Sequence, residues 1–114
     1  MSIALRRPSA TTAILDIKGD VNGYAEDVLM DAYTEASNAG AKVIGLNFTD
    51  LEYMNSSGIG LLVTLLIRVQ RNKQRLMAFG LSDHYCQIFQ LTRLDEAISI
   101  FGTEQEALAS AALK

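Results

Sequence analysis

The sequence Tyr53-Met54-Asn55-Ser56-Ser57-Gly58-Ile59-Gly60 is the most unusual stretch of the chain. It follows a short apolar run, 43–48, and opens the most apolar helical pattern, 56–72. Asparagine and serine favour the N-cap of a helix, where their side-chain oxygens accept hydrogen bonds from N–H groups of the first turn. Two glycines within three residues disfavour a helix by about 1 kcal/mol each relative to alanine. Close packing of the helix on a sheet, or close approach of another molecule's backbone, would favour glycine there.

Around this stretch, short apolar strands alternate with helical patterns. The spacing predicts strands over 3–7, 13–19, 43–48, 76–79 and 98–101, and helices over 24–39, 56–72, 82–91 and from 103 onwards. The second strand is expected to stop at Gly19, with residues 20–23 as a loop. Strands that alternate with helices indicate an α/β fold. We predict a single domain over 1–114, with a mixed, mostly parallel β-sheet of four to five strands and about four helices.

The composition is that of an ordinary globular protein. Of the 114 residues, 49% are apolar and 20% are charged, which excludes a disordered chain. A net charge of −3 gives no general attraction to nucleic acid or to an acidic membrane. One cysteine and one histidine exclude an internal disulfide and a Cys/His zinc cluster. The longest apolar run, 59–67, is far shorter than the roughly 20 residues that span a bilayer. We therefore expect a cytoplasmic protein with no cofactor, no metal, no nucleic-acid partner and no membrane insertion.

Three segments of the chain resemble one protein family. Residues 54–60 resemble the Asp-Ser-(Ser/Thr)-Gly-(Leu/Ile)-Gly signature of the STAS domain, in particular that of the bacterial anti-sigma factor antagonists. Residues 19–22, Gly-Asp-Val-Asn, resemble the family's Gly-Glu-apolar-Asp after its second strand. Residues 82–94 resemble the end of a later helix in the family, Ser…Phe-x-(Ile/Leu)-(Ser/Thr)-Gly-Leu. The three segments follow the family's order, and the resemblance extends from about residue 3 to residue 108.

The resemblance implies a partner switch rather than an enzyme. Ser56, the first serine of the signature, would be phosphorylated by a partner that is both an anti-sigma factor and a serine kinase of the histidine-kinase-like ATPase type. The unphosphorylated form would bind that partner and free its target, and a PP2C-type phosphatase would reset the cycle. The resemblance and the predicted fold together place further partner-binding residues in two segments: Asp20, Asn22, Asn55, Ser57, Gly58 and Leu61.

Three positions depart from the family pattern. Asn55 and Asn22 stand where aspartate is usual, and Arg93 stands where glycine is common. Asparagine keeps a hydrogen-bonding oxygen but loses the charge, so a STAS module that binds without phosphorylation is an alternative. A further alternative is an α/β domain that holds a small-molecule phosphate at the start of the 56–72 helix. The sequence has no Gly-x-Gly-x-x-Gly or Walker pattern to support that phosphate site.

The two adjacent serines are expected to have different roles. We predict that Ser57 is the N-cap, with Gly58 opening the helix, because a capping hydroxyl is committed to an N–H of the first turn. Ser56 would then project from the surface just outside the helix.

The apolar side of the 56–72 helix is unusually wide. At about 100° per residue its apolar positions cover about 240°, more than a helix that lies on a sheet requires. Leu61 and Leu65 flank the polar wedge. They either pack against the 82–91 helix or face a partner.

Overall fold

The computed structural model describes residues 1–112 and contains one five-stranded sheet with the order β1-β2-β3-β4-β5. The strands are β1 (Ser2–Arg6), β2 (Thr12–Val21), β3 (Val43–Met54), β4 (Arg75–Phe79) and β5 (Ser99–Phe101). The helices are α1 (Glu26–Asn38), α2 (Ser56–Arg71), α3 (Asp83–Leu91) and α4 (Glu104–Ala112). Strand β1 is antiparallel to β2, and β2 to β5 pair in parallel. The predicted mixed, mostly parallel sheet is confirmed.

The helices cover the two faces of the sheet unequally. Helices α1, α2 and α3 each connect two parallel neighbours, and their apolar residues join the larger core. On the other face, Ala107 and Ala111 of α4 belong to a smaller core with Ile14, Met77 and Phe79. No helix within residues 1–112 is long and apolar enough to cross a membrane.

Strands β2 and β3 continue past the points at which the sequence predicts their ends. The prediction that β2 stops at Gly19 is wrong, because the strand runs on to Val21, and β3 runs on to Met54. Gly19 has a φ of 93°, and the register between β2 and β3 shifts on both sides of it. The glycine therefore bends the strand within the ladder instead of ending it. The extra length carries both strands beyond β4, to the place where α2 begins.

Arg6 fixes the start of α4 to the sheet. Its guanidinium donates hydrogen bonds to Glu104 Oε1 at 2.7 Å and to Asp16 Oδ1 at 2.8 Å, and Asn47 also donates to Asp16 Oδ1. The pKa values of Asp16 and Glu104 lie below their ordinary values, mainly because both carboxylates accept hydrogen bonds from Arg6. The same contacts, first with Glu104 and then with Asp16, raise the pKa of Arg6. The three side chains are 29–42% exposed, so solvent screens the network and its contribution to stability is small.

Candidate functional site

The ends of β2 and β3 bring two of the predicted segments together. In the parallel ladder Asp20 pairs with Tyr53, and the Asn55 N–H donates to the Val21 carbonyl oxygen at 3.3 Å. The connection after β2 lies against the start of α2, since a Cβ built on Gly23 would be 3.6 Å from the Ser57 Cβ. The β2–α1 connection and the beginning of α2 therefore form one continuous surface.

Helix α2 is capped by Asn55. This residue has an extended backbone, and its Oδ1 accepts a hydrogen bond from the Gly58 N–H at 2.9 Å. The prediction that Ser57 is the cap is wrong, because the helix begins two residues earlier than predicted: the Ile59 N–H already donates to the Asn55 carbonyl oxygen at 3.0 Å, and Ser57 lies within the first turn. Ser56 and Ser57 are instead the first two helical residues, and both are exposed.

The two asparagines that depart from the family pattern have the same local role. Asn22 Oδ1 accepts a hydrogen bond from the Tyr24 N–H at 2.9 Å and caps a 3-10 turn over Gly23–Ala25. Asn55 caps α2 through its own Oδ1. Asparagine and aspartate are about equally good N-caps, because each presents one acceptor oxygen. The change from acid to amide therefore keeps the local fold and removes one negative charge at each position.

The two glycines of the signature have different surroundings. Gly58 is buried, and a Cβ at this position would lie 2.3 Å from the Val21 carbonyl oxygen and 2.9 Å from the Met54 Cγ. Close packing of α2 on the end of β2 therefore accounts for Gly58. Gly60 is exposed, and no atom outside its own helix lies within 4 Å of its Cβ position. Packing within the chain does not account for Gly60.

Leu61 and Leu65 belong to the core. They are only 8% and 0% exposed and lie in the same apolar cluster as Phe89 of α3. The alternative that they face a partner is therefore wrong, and burial leaves Leu61 with almost no surface for a partner to contact. The exposed large apolar residues of α2 are Val63 and Ile67, which are 39% and 48% exposed.

Two exposed tyrosines next to the start of α2 were missed in the sequence. Tyr24 is 96% exposed and follows Gly23, while Tyr53 is 56% exposed and lies three residues before Ser56. Exposed tyrosines are enriched in protein–protein interfaces. A third tyrosine, Tyr85, supports the site from beneath, because its hydroxyl accepts a hydrogen bond from the Met54 N–H at 2.8 Å.

Acidic side chains dominate this end of the sheet. The exposed carboxylates near the ends of β2 and β3 and the start of α1 are Asp20, Glu26, Asp27 and Glu52.

A shallow cavity of about 230 Å³ beside the 3-10 turn is lined by Asp20 and Asn22, together with Met1, Tyr24, Ala25 and Val28. The carboxylate in its wall disfavours a bound phosphate, and no residue of α2, where the small-molecule alternative placed the phosphate, lines this cavity. Within residues 1–112, no group of three or more His, Cys, Asp or Glu side chains is arranged to hold a metal ion.

Comparison with known proteins identifies the family. The STAS domain model matches residues 3–107, so the chain belongs to the STAS domain family. Its relatives include the anti-sigma-B factor antagonist of Listeria monocytogenes, with 27% identity over 108 residues that cover 93% of this chain and 95% of the relative. The anti-sigma-B factor antagonist of Staphylococcus aureus is 30% identical over 91 residues, which cover 79% of this chain and 84% of the relative. The predicted membership among the anti-sigma factor antagonists is confirmed.

Solved structures of similar proteins have the same fold. The unphosphorylated form of the anti-sigma factor antagonist SpoIIAA has a TM-score of 0.78 and 21% identity, covering 99% of this chain and 100% of that chain. The phosphorylated form of the Bacillus cell fate determinant SpoIIAA has a TM-score of 0.75 and 22% identity, covering 96% of this chain and 99% of that chain.

Proposed function

We propose that this chain is an anti-sigma factor antagonist that is switched by phosphorylation of Ser56. The unphosphorylated form binds an anti-sigma factor through the surface around Ser56, which includes Asp20, Tyr24 and Tyr53. The partner is also a serine kinase of the histidine-kinase-like ATPase type, and a PP2C-type phosphatase removes the phosphate. One observation carries the proposal: an exposed serine at the first position of a capped helix, in a chain whose relatives are anti-sigma-B factor antagonists.

A phosphate on Ser56 would change the surface while leaving the fold intact. At the start of α2 it meets the positive end of the helix dipole and N–H groups of the first turn, so it is stabilised locally. It also adds about two negative charges beside the acidic side chains at the end of the sheet. A partner that matches the unmodified surface would then meet extra charge and bulk, and its affinity would fall.

The surroundings of the two serines favour Ser56 as the modified residue. Ser57 adjoins the β2–α1 connection, with its Oγ 3.8 Å from the Cβ position of Gly23. Ser56 lies on the side of α2 that also carries Gly60, where the surface is open. A kinase must surround the hydroxyl that it modifies, and Ser56 has more space for that.

Calorimetric titration tests the switch. Each anti-sigma factor of the histidine-kinase-like ATPase type from the source genome is titrated with the wild type, Ser56→Ala and Ser56→Asp. We expect Ser56→Ala to bind like the wild type, and Ser56→Asp to bind at least about tenfold more weakly, a change of about 1.4 kcal/mol. Ser9→Asp, which adds the same charge to an exposed loop before β2, is the matched control. Equal affinity of Ser56→Asp and the wild type for every anti-sigma factor would contradict the proposal.

A further inference from the structure

The exposed side of α2 continues from Ser56 along the helix. At 100° per residue, Ser56, Gly60, Val63 and Ile67 project within about 60° of one another. We call these four residues the outer stripe of α2. Val63 and Ile67 are 39% and 48% exposed, so apolar surface lies directly along the helix from the candidate switch residue.

Gly60 has no structural reason to be glycine. It lies within the sequence of α2, it is not among the glycines with a positive φ, and no atom outside its own helix lies within 4 Å of its Cβ position. Alanine would fit there and would favour the helix. The glycine leaves a notch in the outer stripe, one turn from the Ser56 side chain.

We propose that the outer stripe docks an apolar segment of the anti-sigma factor, and that the backbone of this segment crosses α2 at Gly60. The inference rests on the proposed function, because its occupant is the protein that reaches Ser56. Residues four apart on a helix are surface neighbours, so a protein that closes over the Ser56 hydroxyl also covers the Gly60 position. Any side chain at position 60 would hold that protein away, while Val63 and Ile67 supply the apolar area that docking buries.

Substitution of Gly60 separates docking from stability, because alanine at this position is expected to stabilise the fold and to weaken binding of the anti-sigma factor. Gly60→Ala should leave the urea midpoint unchanged or raise it, since alanine is the better helix former. The same change should weaken binding to the anti-sigma factor about tenfold, and Gly60→Leu should weaken it further. The double variant Val63→Ser/Ile67→Ser should also weaken binding. Leu91→Ser is the matched control and should bind like the wild type, because Leu91 is 85% exposed at the end of α3.

The outcomes distinguish this inference from the proposed function. If the wild type binds and Ser56→Asp weakens binding, but the Gly60 and Val63/Ile67 variants bind like the wild type, the outer stripe is not a docking surface. If these variants change only the self-association of the chain in sedimentation equilibrium, the occupant is a second copy and the inference is wrong. If the wild type binds none of the anti-sigma factors, the proposed function fails and this inference fails with it.

Discussion

Helix α2 has an inner and an outer side that meet different surroundings. On the inner side Leu61 and Leu65 lie in the core, and Gly58 lies against the Val21 carbonyl. On the outer side, which begins with Ser56, the surface is open. Neighbouring residues of one short motif therefore serve different purposes: the inner residues fix the helix on the sheet, and the outer residues remain available to a partner. The side on which a residue lies decides its role more than its place in the motif does.

Replacement of a large side chain should show the greatest contrast between the two sides. Leu65→Ala should lower the free energy of unfolding by about 2–5 kcal/mol, because it leaves a cavity in a fully buried position. Ile67→Ala, two residues away and 48% exposed, should change it by no more than about 0.5 kcal/mol. Urea unfolding measures both values, and similar losses for the two variants would contradict the assignment of sides.

The two glycines of the motif should respond to alanine with opposite signs. Gly58→Ala should cost about 1–3 kcal/mol, because the new methyl group meets a backbone carbonyl that cannot rotate away. Gly60→Ala, the matched change on the open side, should stabilise the chain by up to about 1 kcal/mol. Thermal unfolding of the two variants gives the comparison, and a loss of stability in both would place Gly60 in a packed environment.

Capping of α2 should depend on Asn55 alone among the three polar residues at its start. Asn55→Ala should cost about 1 kcal/mol, the usual effect of removing an N-cap. Ser57→Ala should change the free energy of unfolding by less than about 0.5 kcal/mol, because its hydroxyl is exposed. Urea unfolding of both variants tests this, and the reverse order would return the cap to Ser57.

The smallest effect concerns Arg6, on the opposite face of the sheet. Because the pKa values of Asp16 and Glu104 are lowered in the folded protein, the network stabilises the fold at a pH above the ordinary carboxyl pKa values. This stabilisation is lost as the pH falls through the lowered pKa values. Arg6→Met should cost about 0.2–1 kcal/mol at pH 7, and this difference from the wild type should shrink below about pH 4. Urea unfolding at pH 7 and pH 3 measures it. A change in anti-sigma factor affinity would show that the two faces are coupled.

The order of strands and helices could be predicted because each element carries its own periodic signal. The ends of β2 and β3 could not, since a glycine such as Gly19 often marks a strand end, and residues 49–54 mix charged, polar and apolar side chains without a clear period. Those residues are held in the sheet by pairing between β2 and β3, which is a long-range interaction.

Within the candidate site, the signature identified the surface but not the role of each residue. Asn55, Ser56 and Ser57 can all cap a helix, and only the backbone path shows which of them does. An apolar arc of about 240° has no unique centre, so the sequence alone could not decide whether Leu61 or Ile67 is buried. The exposed tyrosines were missed because Tyr24 lies in a 3-10 turn and Tyr53 lies near the end of β3, where no apolar periodicity shows which side chains are exposed.

Ser56 is the residue that we propose as the phosphorylated switch. The most direct test incubates the wild type with each candidate anti-sigma factor kinase and ATP, and locates the phosphate by peptide mass spectrometry. We expect one phosphate on Ser56 of the wild type and none on the Ser56→Ala variant, with Ser57→Ala modified like the wild type. Phosphate on Ser57, or on neither serine with every kinase that binds the chain, would contradict it.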